Sequence, residues 1–171
     1  LIGGFVGVTN SADISLSPAV GNVAVTDQFV IAWQTGPTIF GPWDIEARML
    51  DAATGATSSI VTVANAAAEI SVDVSGERSS ADNDALIVWQ EVGGGIRAAQ
   101  FQTSTNSAFT PVSITTSATD TEPAISKSGG TVGRHVIVWT QQQATSKAVF
   151  AQAVTRNLGM IDVAIGVANF V

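Results

Sequence analysis

The stretch LIVWQ, residues 86–90, decides the fold, because it recurs as VIAWQ at 30–34 and VIVWT at 136–140. Each copy is a short apolar run rich in Val and Ile. Each closes on a Trp followed by an amide or hydroxyl residue. β-Branched and aromatic side chains suit a pleated surface. A continuous apolar run of this length reads as a strand buried on both faces. The three runs therefore predict three equivalent central strands, with Trp33, Trp89 and Trp139 in matching positions.

A second segment follows each run: IEARMLD (45–51), IRAAQFQ (96–102) and VFAQAVT (149–155). Their starts lie 51 and 53 residues apart. Four residues after each comes Gly55, Asn106 or Gly159, residues that accept a left-handed backbone cheaply. A third piece lies beyond the turn: SIVTV (59–63), PVSIT (111–115) and VAIGV (163–167). A fourth precedes each Trp strand: SPAVGNVAV (17–25), AEISVDV (68–74) and EPAIS (122–126). Four short strands per repeat is the pattern of an all-β propeller blade. We expect one repeat domain over 1–171, of antiparallel four-stranded blades. A spare strand occupies 1–10, blade 1 spans 11–65, blade 2 spans 66–117 and blade 3 spans 118–171. A β-sandwich is the alternative arrangement of the same strands.

The 171 residues suffice for one domain with a core, and 46% are hydrophobic. Seven Lys and Arg stand against 14 Asp and Glu, a net charge of −7. No basic footprint for nucleic acid is present. Cysteine is absent, which excludes disulfides and thiolate metal sites. No apolar run has the length of a membrane span. The first residue is Leu1, and the expectation is a processed or excised piece of a longer polypeptide.

The pattern Pro18-Ala19-Val20, then Phe29 to Gln34, then Ile45 to Gly55 resembles the propeller-like repeats of large secreted and surface proteins of bacteria. Pro123-Ala124-Ile125, Trp139, Ala151-Gln152 and Gly159 match in blade 3. Leu1 to Val6 and Val8 to Asn10 look like that family's fourth strand. Blade 2 departs from it, with Glu69-Ile70 in place of Pro-Ala and Asn106 in place of Gly. The family's acidic, Gly-rich loop, a calcium site, is missing from all three blades. The resemblance implies an extracellular or cell-surface adhesion or scaffold part, with no defined reaction.

Candidate chemistry is sparse. His135 is the sole histidine and no nucleophile elbow surrounds any Ser, so it reads as a polar strand-start residue. Asp82 and Asp84 lack calcium-loop spacing and read as a solvated turn. Asp13, Asp120 and Glu122 precede or open first strands and could converge where blades meet. Paired carboxylates for glycoside hydrolysis are defined by spatial separation, which spacing in sequence does not reveal. Asp44 and Glu46 flank Trp43 in a loop that also carries Phe40. These four form the candidate ligand site, a sugar-stacking one. The competing reading packs Trp43 over its blade and turns Glu46 outward. Trp33, Trp89 and Trp139 are assigned to the core, since large aromatics dominate packing.

The expected function is a non-catalytic structural or adhesive module without metal or cofactor. It would associate with other copies or with further blades of a longer chain through strand edges and blade faces. Leu1 to Thr9 would add to a neighbour as a strand. The alternative is a carbohydrate-binding propeller with a glycan as partner.

Overall fold

The computed structural model describes residues 7–9, 13–24, 26–77, 84–127, 133–161 and 164–170. Thirteen strands occur among them. Blade 1 holds β1 (Ile14–Val23), β2 (Gln28–Gly36), β3 (Asp44–Asp51) and β4 (Val61–Ala64) in that spatial order. Blade 2 holds β5 (Glu69–Val74), β6 (Asp84–Glu91) and β7 (Gly95–Gln102). Its outer strand is split into β8 (Ser107–Ala108) and β9 (Val112–Ser113), both paired to β7. Blade 3 holds β10 (Asp120–Ile125), β11 (Arg134–Gln142), β12 (Lys147–Thr155) and β13 (Ile165–Phe170). Every pairing inside a blade is antiparallel. The expected all-β blade architecture is what the chain adopts, and among the described residues no sheet closes on itself. The expected spare strand at 1–10 lies largely outside the described residues. Of its residues, Gly7, Val8 and Thr9 are described, and the Val8 carbonyl accepts a bond from Arg48 Nη1 at 3.3 Å.

The first strand of each blade is the inner one. β5 lies between β1 and β10, and its C-terminal extension meets β1 in a parallel bridge, Val23 to Glu77. Close approach here depends on glycine. A Cβ on Gly21 would overlap the Ser75 carbonyl, and one on Gly76 would overlap the Lys127 carbonyl.

Each inner strand carries a β-bulge at the same place. The register shifts between Leu16 and Ala19, between Ile70 and Asp73, and between Thr121 and Ala124. Each bulge holds a left-handed residue that is not glycine: Ser17, Ser71 and Glu122, with φ of 50°, 55° and 54°. This register corrects the expected alignment of blade 2. Val72 stands where blades 1 and 3 have Pro18 and Pro123, three positions after Glu69, the residue expected to match that proline. The turn after the third strand is left-handed at Gly55 and Asn106, but in blade 3 at Leu158 and not at Gly159.

Two apolar clusters join the blades. Val30, Ala32, Ile45 and Ala47 of blade 1 meet Val74, Ile87, Trp89 and Phe101 of blade 2. Leu86, Val88, Ile96 and Ala98, on the other face of blade 2, meet Ile125, Ile137, Trp139 and Val154 of blade 3. The central strand β6 is thus buried on both faces, as its uninterrupted apolar run requires. Trp33, Trp89 and Trp139 are all buried. Their cross-strand neighbours differ: Glu46, Arg97 and Phe150, the last stacked on Trp139 with ring centroids 6.0 Å apart.

Candidate functional site

The inner strands of all three blades begin at one end of the molecule, here called the mouth. Their second strands end there and their third strands begin there. The loop from Gly36 to Asp44 is the longest feature of the mouth in blade 1. Thr38 shapes it: its Oγ1 donates to the Gly41 carbonyl at 2.9 Å, and its carbonyl accepts the Gly41 N–H at 3.2 Å. The turn lifts Phe40 into solvent, 89% exposed. Trp43 behaves differently. It is 8% exposed and its ring lies against Gly36 and Gly41, a packing role rather than a sugar-stacking one. Its carbonyl accepts the Glu69 N–H at 2.9 Å and so fastens this loop to the start of blade 2.

Carboxylates gather beside this loop. Asp44 opens β3 half-buried, and burial, reinforced by the charge of Asp13, pushes its carboxyl above the usual range. Glu46 lies two residues on, on the same face of β3. Burial raises it most, the Trp33 indole acts in the opposite sense, and Asp13 and Asp44 raise it further. Glu69 at the start of β5 is 1% exposed. Burial raises its carboxyl most. The N–H groups of Ala67 and Ala66, at 2.9 and 3.2 Å from Oε1, offset part of this, and Asp44 and Glu91 add to the rise. Its Oε2 has no partner among the described residues. Glu91 is answered by Arg97, Nε to Oε2 at 2.8 Å. Asp120 opens β10 in the equivalent position of blade 3, buried and accepting Gln141 Nε2 at 2.8 Å.

Phe40, Asp44 and Glu46 therefore share the mouth with Asp13 and Glu69. Asp120 occupies the same level of the third inner strand, while Glu122 sits on its bulge. Glu69 was not a sequence candidate. A single acid inside AAAEISV carries no local sign of the carboxylates that fold around it.

The opposite end of the blades holds other polar groups. His135 stands at the start of β11, as expected, and is buried at 2% exposure, with its Nε2 3.6 Å from Glu77 Oε2. Asp84 is half-buried and accepts from Gln100 rather than sitting in a solvated turn; Asp82 lies outside the described residues. Among the described residues, no group of three or more His, Asp and Glu is placed to hold a metal ion, and no helix is long and apolar enough to cross a membrane.

No family model and no curated protein matches the chain. Solved structures do. A variant of the exo-β-1,3-galactanase of Phanerochaete chrysosporium, with β-1,3-galactotriose, aligns with a TM-score of 0.58 at 11% identity, over 93% of this chain and 36% of that one. The same enzyme with galactose gives 0.58 at 11% identity, over 83% and 34%. A GH43 β-1,3-galactosidase with galactodeoxynojirimycin gives 0.58 at 12% identity, over 92% and 58%. The chain thus spans 34% to 58% of the length of these structures. The neighbours are five-bladed propellers, and the likeness establishes the propeller fold.

These matches overturn two expectations. The structural or adhesive, non-catalytic reading does not stand, nor does the reading that the protein is not an enzyme, because the solved structures it matches are glycoside hydrolases. The physical reason is plain. The repeat specifies blades, and blades serve scaffolds and enzymes alike. The absence of a linear motif excludes nothing where chemistry rests on carboxyls brought together in space.

Proposed function

We propose that this chain is part of a carbohydrate-active propeller that binds a β-linked galactan-type glycan at the mouth and cleaves it. The supporting observation is the gathering of Asp44 and Glu46, both with raised carboxyls, beside Asp13 on the strand that follows the loop carrying the exposed Phe40. A sugar ring stacks on Phe40. Asp13 and Asp44 offer acceptors to its hydroxyls. A carboxyl held above its ordinary range keeps its proton nearer neutrality and can pass it to a leaving oxygen, while an ionised neighbour supports the developing cation or activates water. Glu46 has the environment for the first role and Asp13, the most exposed of the set, for the second.

The experiment uses β-1,3-galactotriose as both ligand and substrate. Chemical-shift perturbation should map to the loop 36–44, and released galactose should be detectable. Phe40→Ala should weaken binding about tenfold, the loss of one stacking contact. Glu46→Gln should keep binding and lose turnover. Neither shifts nor product at millimolar trisaccharide would dispose of the reading.

A further inference from the structure

The three bulges give a common ruler along the inner strands: Ser17, Ser71 and Glu122 are equivalent. One and three residues on, blade 2 has Val72 and Val74 and blade 3 has Pro123 and Ile125, all buried. Val72 and Val74 pack in the cluster shared with blade 1, and Ile125 in the cluster shared with blade 2. In blade 1 the same places are Pro18 and Val20, both exposed, Val20 at 52%. Ile31, cross-strand from Val20, and Phe29 two residues before it are half-exposed, whereas their blade 2 counterparts Ile87 and Ala85 are buried. One face of blade 1 is therefore made like a covered face and is open around its inner strand.

A polar contact repeats with the packing. Gln34, the residue after Trp33, accepts the Ser71 N–H through its side-chain oxygen at 3.2 Å. Gln90, after Trp89, accepts the Glu122 N–H in the same way at 3.4 Å. A bulge turns one N–H out of its own ladder, and a buried N–H needs an acceptor. The amide of the preceding blade supplies it. The residue after Trp139 is Thr140, whose hydroxyl sits two bonds short of the Gln oxygen.

The geometry points to the Pro18–Val20 face, with the Ser17 N–H at its rim, as the docking surface for one further four-stranded blade of the same kind, carrying Gln after the Trp of its second strand. The occupant repeats an interface made twice already within the chain. Blade 3 of a second copy is the poorer partner, because Thr140 cannot complete the contact.

The test is a four-blade chain in which a copy of residues 66–117 is joined directly in front of residue 13. The splice keeps register, because Asp120 and Ser15 occupy the same place on their strands. The readout is amide exchange resolved by residue. In the parent chain, Ser17 should exchange about tenfold faster than Ser71 and Glu122, the worth of one hydrogen bond. In the four-blade chain Ser17 should slow by about the same factor, and Gln90→Ala in the added blade alone should restore the parent rate. Two results overturn the proposal. One is a Ser17 already as slow as Ser71 in the parent chain, slowing further with concentration, which places a second copy on the face. The other is an unchanged Ser17 in a four-blade chain whose circular dichroism shows the added sheet. If the added blade does not fold, the parent chain decides by itself. Gln34→Ala must then speed Ser71 alone, and a Ser71 rate that does not respond removes the contact on which the proposal stands.

Discussion

His135 Nε2 and Glu77 Oε2 face each other at 3.6 Å in the interior, His135 at the start of the second strand of blade 3 and Glu77 just past the inner strand of blade 2. Burial holds the imidazole below its ordinary value, and the Glu77 charge and the Ser126 backbone only partly pull it back. The folded protein therefore resists a proton that the unfolded chain takes up near pH 6.5. Between the lowered folded value and that value the unfolded state binds more protons, so stability is full above the window and falls as pH drops through it. His135→Gln should remove this slope. Urea unfolding of both proteins between about pH 7.5 and 5.5 measures it. Asp44, Glu46, Glu69 and Asp84, all raised, act in the opposite sense at lower pH, gaining stability as pH falls. The difference between variant and wild type isolates the histidine. Parallel curves would mean that His135 titrates alike in both states.

The register of the bulges yields a second prediction. Val72 takes the place of Pro18 and Pro123, and the backbone there already accommodates proline twice, each time after a left-handed residue. Val72→Pro should be tolerated, and restriction of the unfolded chain should contribute about 0.4–1 kcal/mol of stability. Loss of the Val72 side chain from the cluster between blades 1 and 2 works against that gain. A thermal midpoint at or above wild type is the expected result. A fall by several degrees would show that the Val72 N–H is in use and that the three bulges are not equivalent.

Those bulges also mark where sequence reading stops. The second and third strands were legible because their signal is local: apolar runs closed by Trp33, Trp89 and Trp139, and alternation in IRAAQFQ. The outer strands were less so. PVSIT became a pair at Val112–Ser113, with Ser107–Ala108 separately on the same neighbour, because an outer strand buries little and its composition is weakly constrained. The left-handed residues were invisible, since Ser17, Ser71 and Glu122 are types that seldom take that conformation and no glycine marked the place. Gln34 and Gln90 were seen only as residues after Trp, because their work is done on the next blade. Within the mouth, Phe40, Asp44 and Glu46 stood out through one aromatic-rich loop. Glu69 did not, because its neighbours Asp44 and Glu91 lie 25 and 22 positions away in the chain.

Trp89 supplies a third prediction. It is buried in the cluster that joins blade 1 to blade 2, opposite Arg97 on the neighbouring strand. Trp89→Ala should cost about 3–5 kcal/mol, the range for truncating a buried aromatic. Trp89→Phe should retain most of the stability because it keeps an apolar ring in the same cluster. Chemical denaturation of the three proteins gives the comparison. An alanine variant within 1 kcal/mol of wild type, against the usual cost of about 3–5, would mean that the two blades do not depend on this contact.

Gly76 and Gly93 separate two reasons for glycine and allow a last prediction. Gly93 lies in the β6–β7 turn with φ of 82° and open space around it. Gly93→Ala therefore meets only backbone strain, about 1–2 kcal/mol for a left-handed residue. Gly76 has no such φ, but a Cβ there would meet carbonyl oxygens from both neighbouring blades, those of Asn22 in β1 and of Lys127 just past β10. A methyl group there must push β1 and β10 apart, and the opposing atoms are backbone, which cannot rotate away as a side chain would. The parallel bridge of Val23 to Glu77 and the bonds Ala24 N–H to Glu77 O and Glu77 N–H to Asn22 O sit at the same junction, so separation also weakens them. Overpacking alone costs about 1–3 kcal/mol, and the strained bonds add to it. Gly76→Ala should consequently destabilise more than Gly93→Ala in urea melts at neutral pH. It should also speed amide exchange at Ala24 and Glu77, which Gly93→Ala leaves alone. The reverse order of stabilities would show that the inner strands are not packed against one another as closely as their backbones indicate.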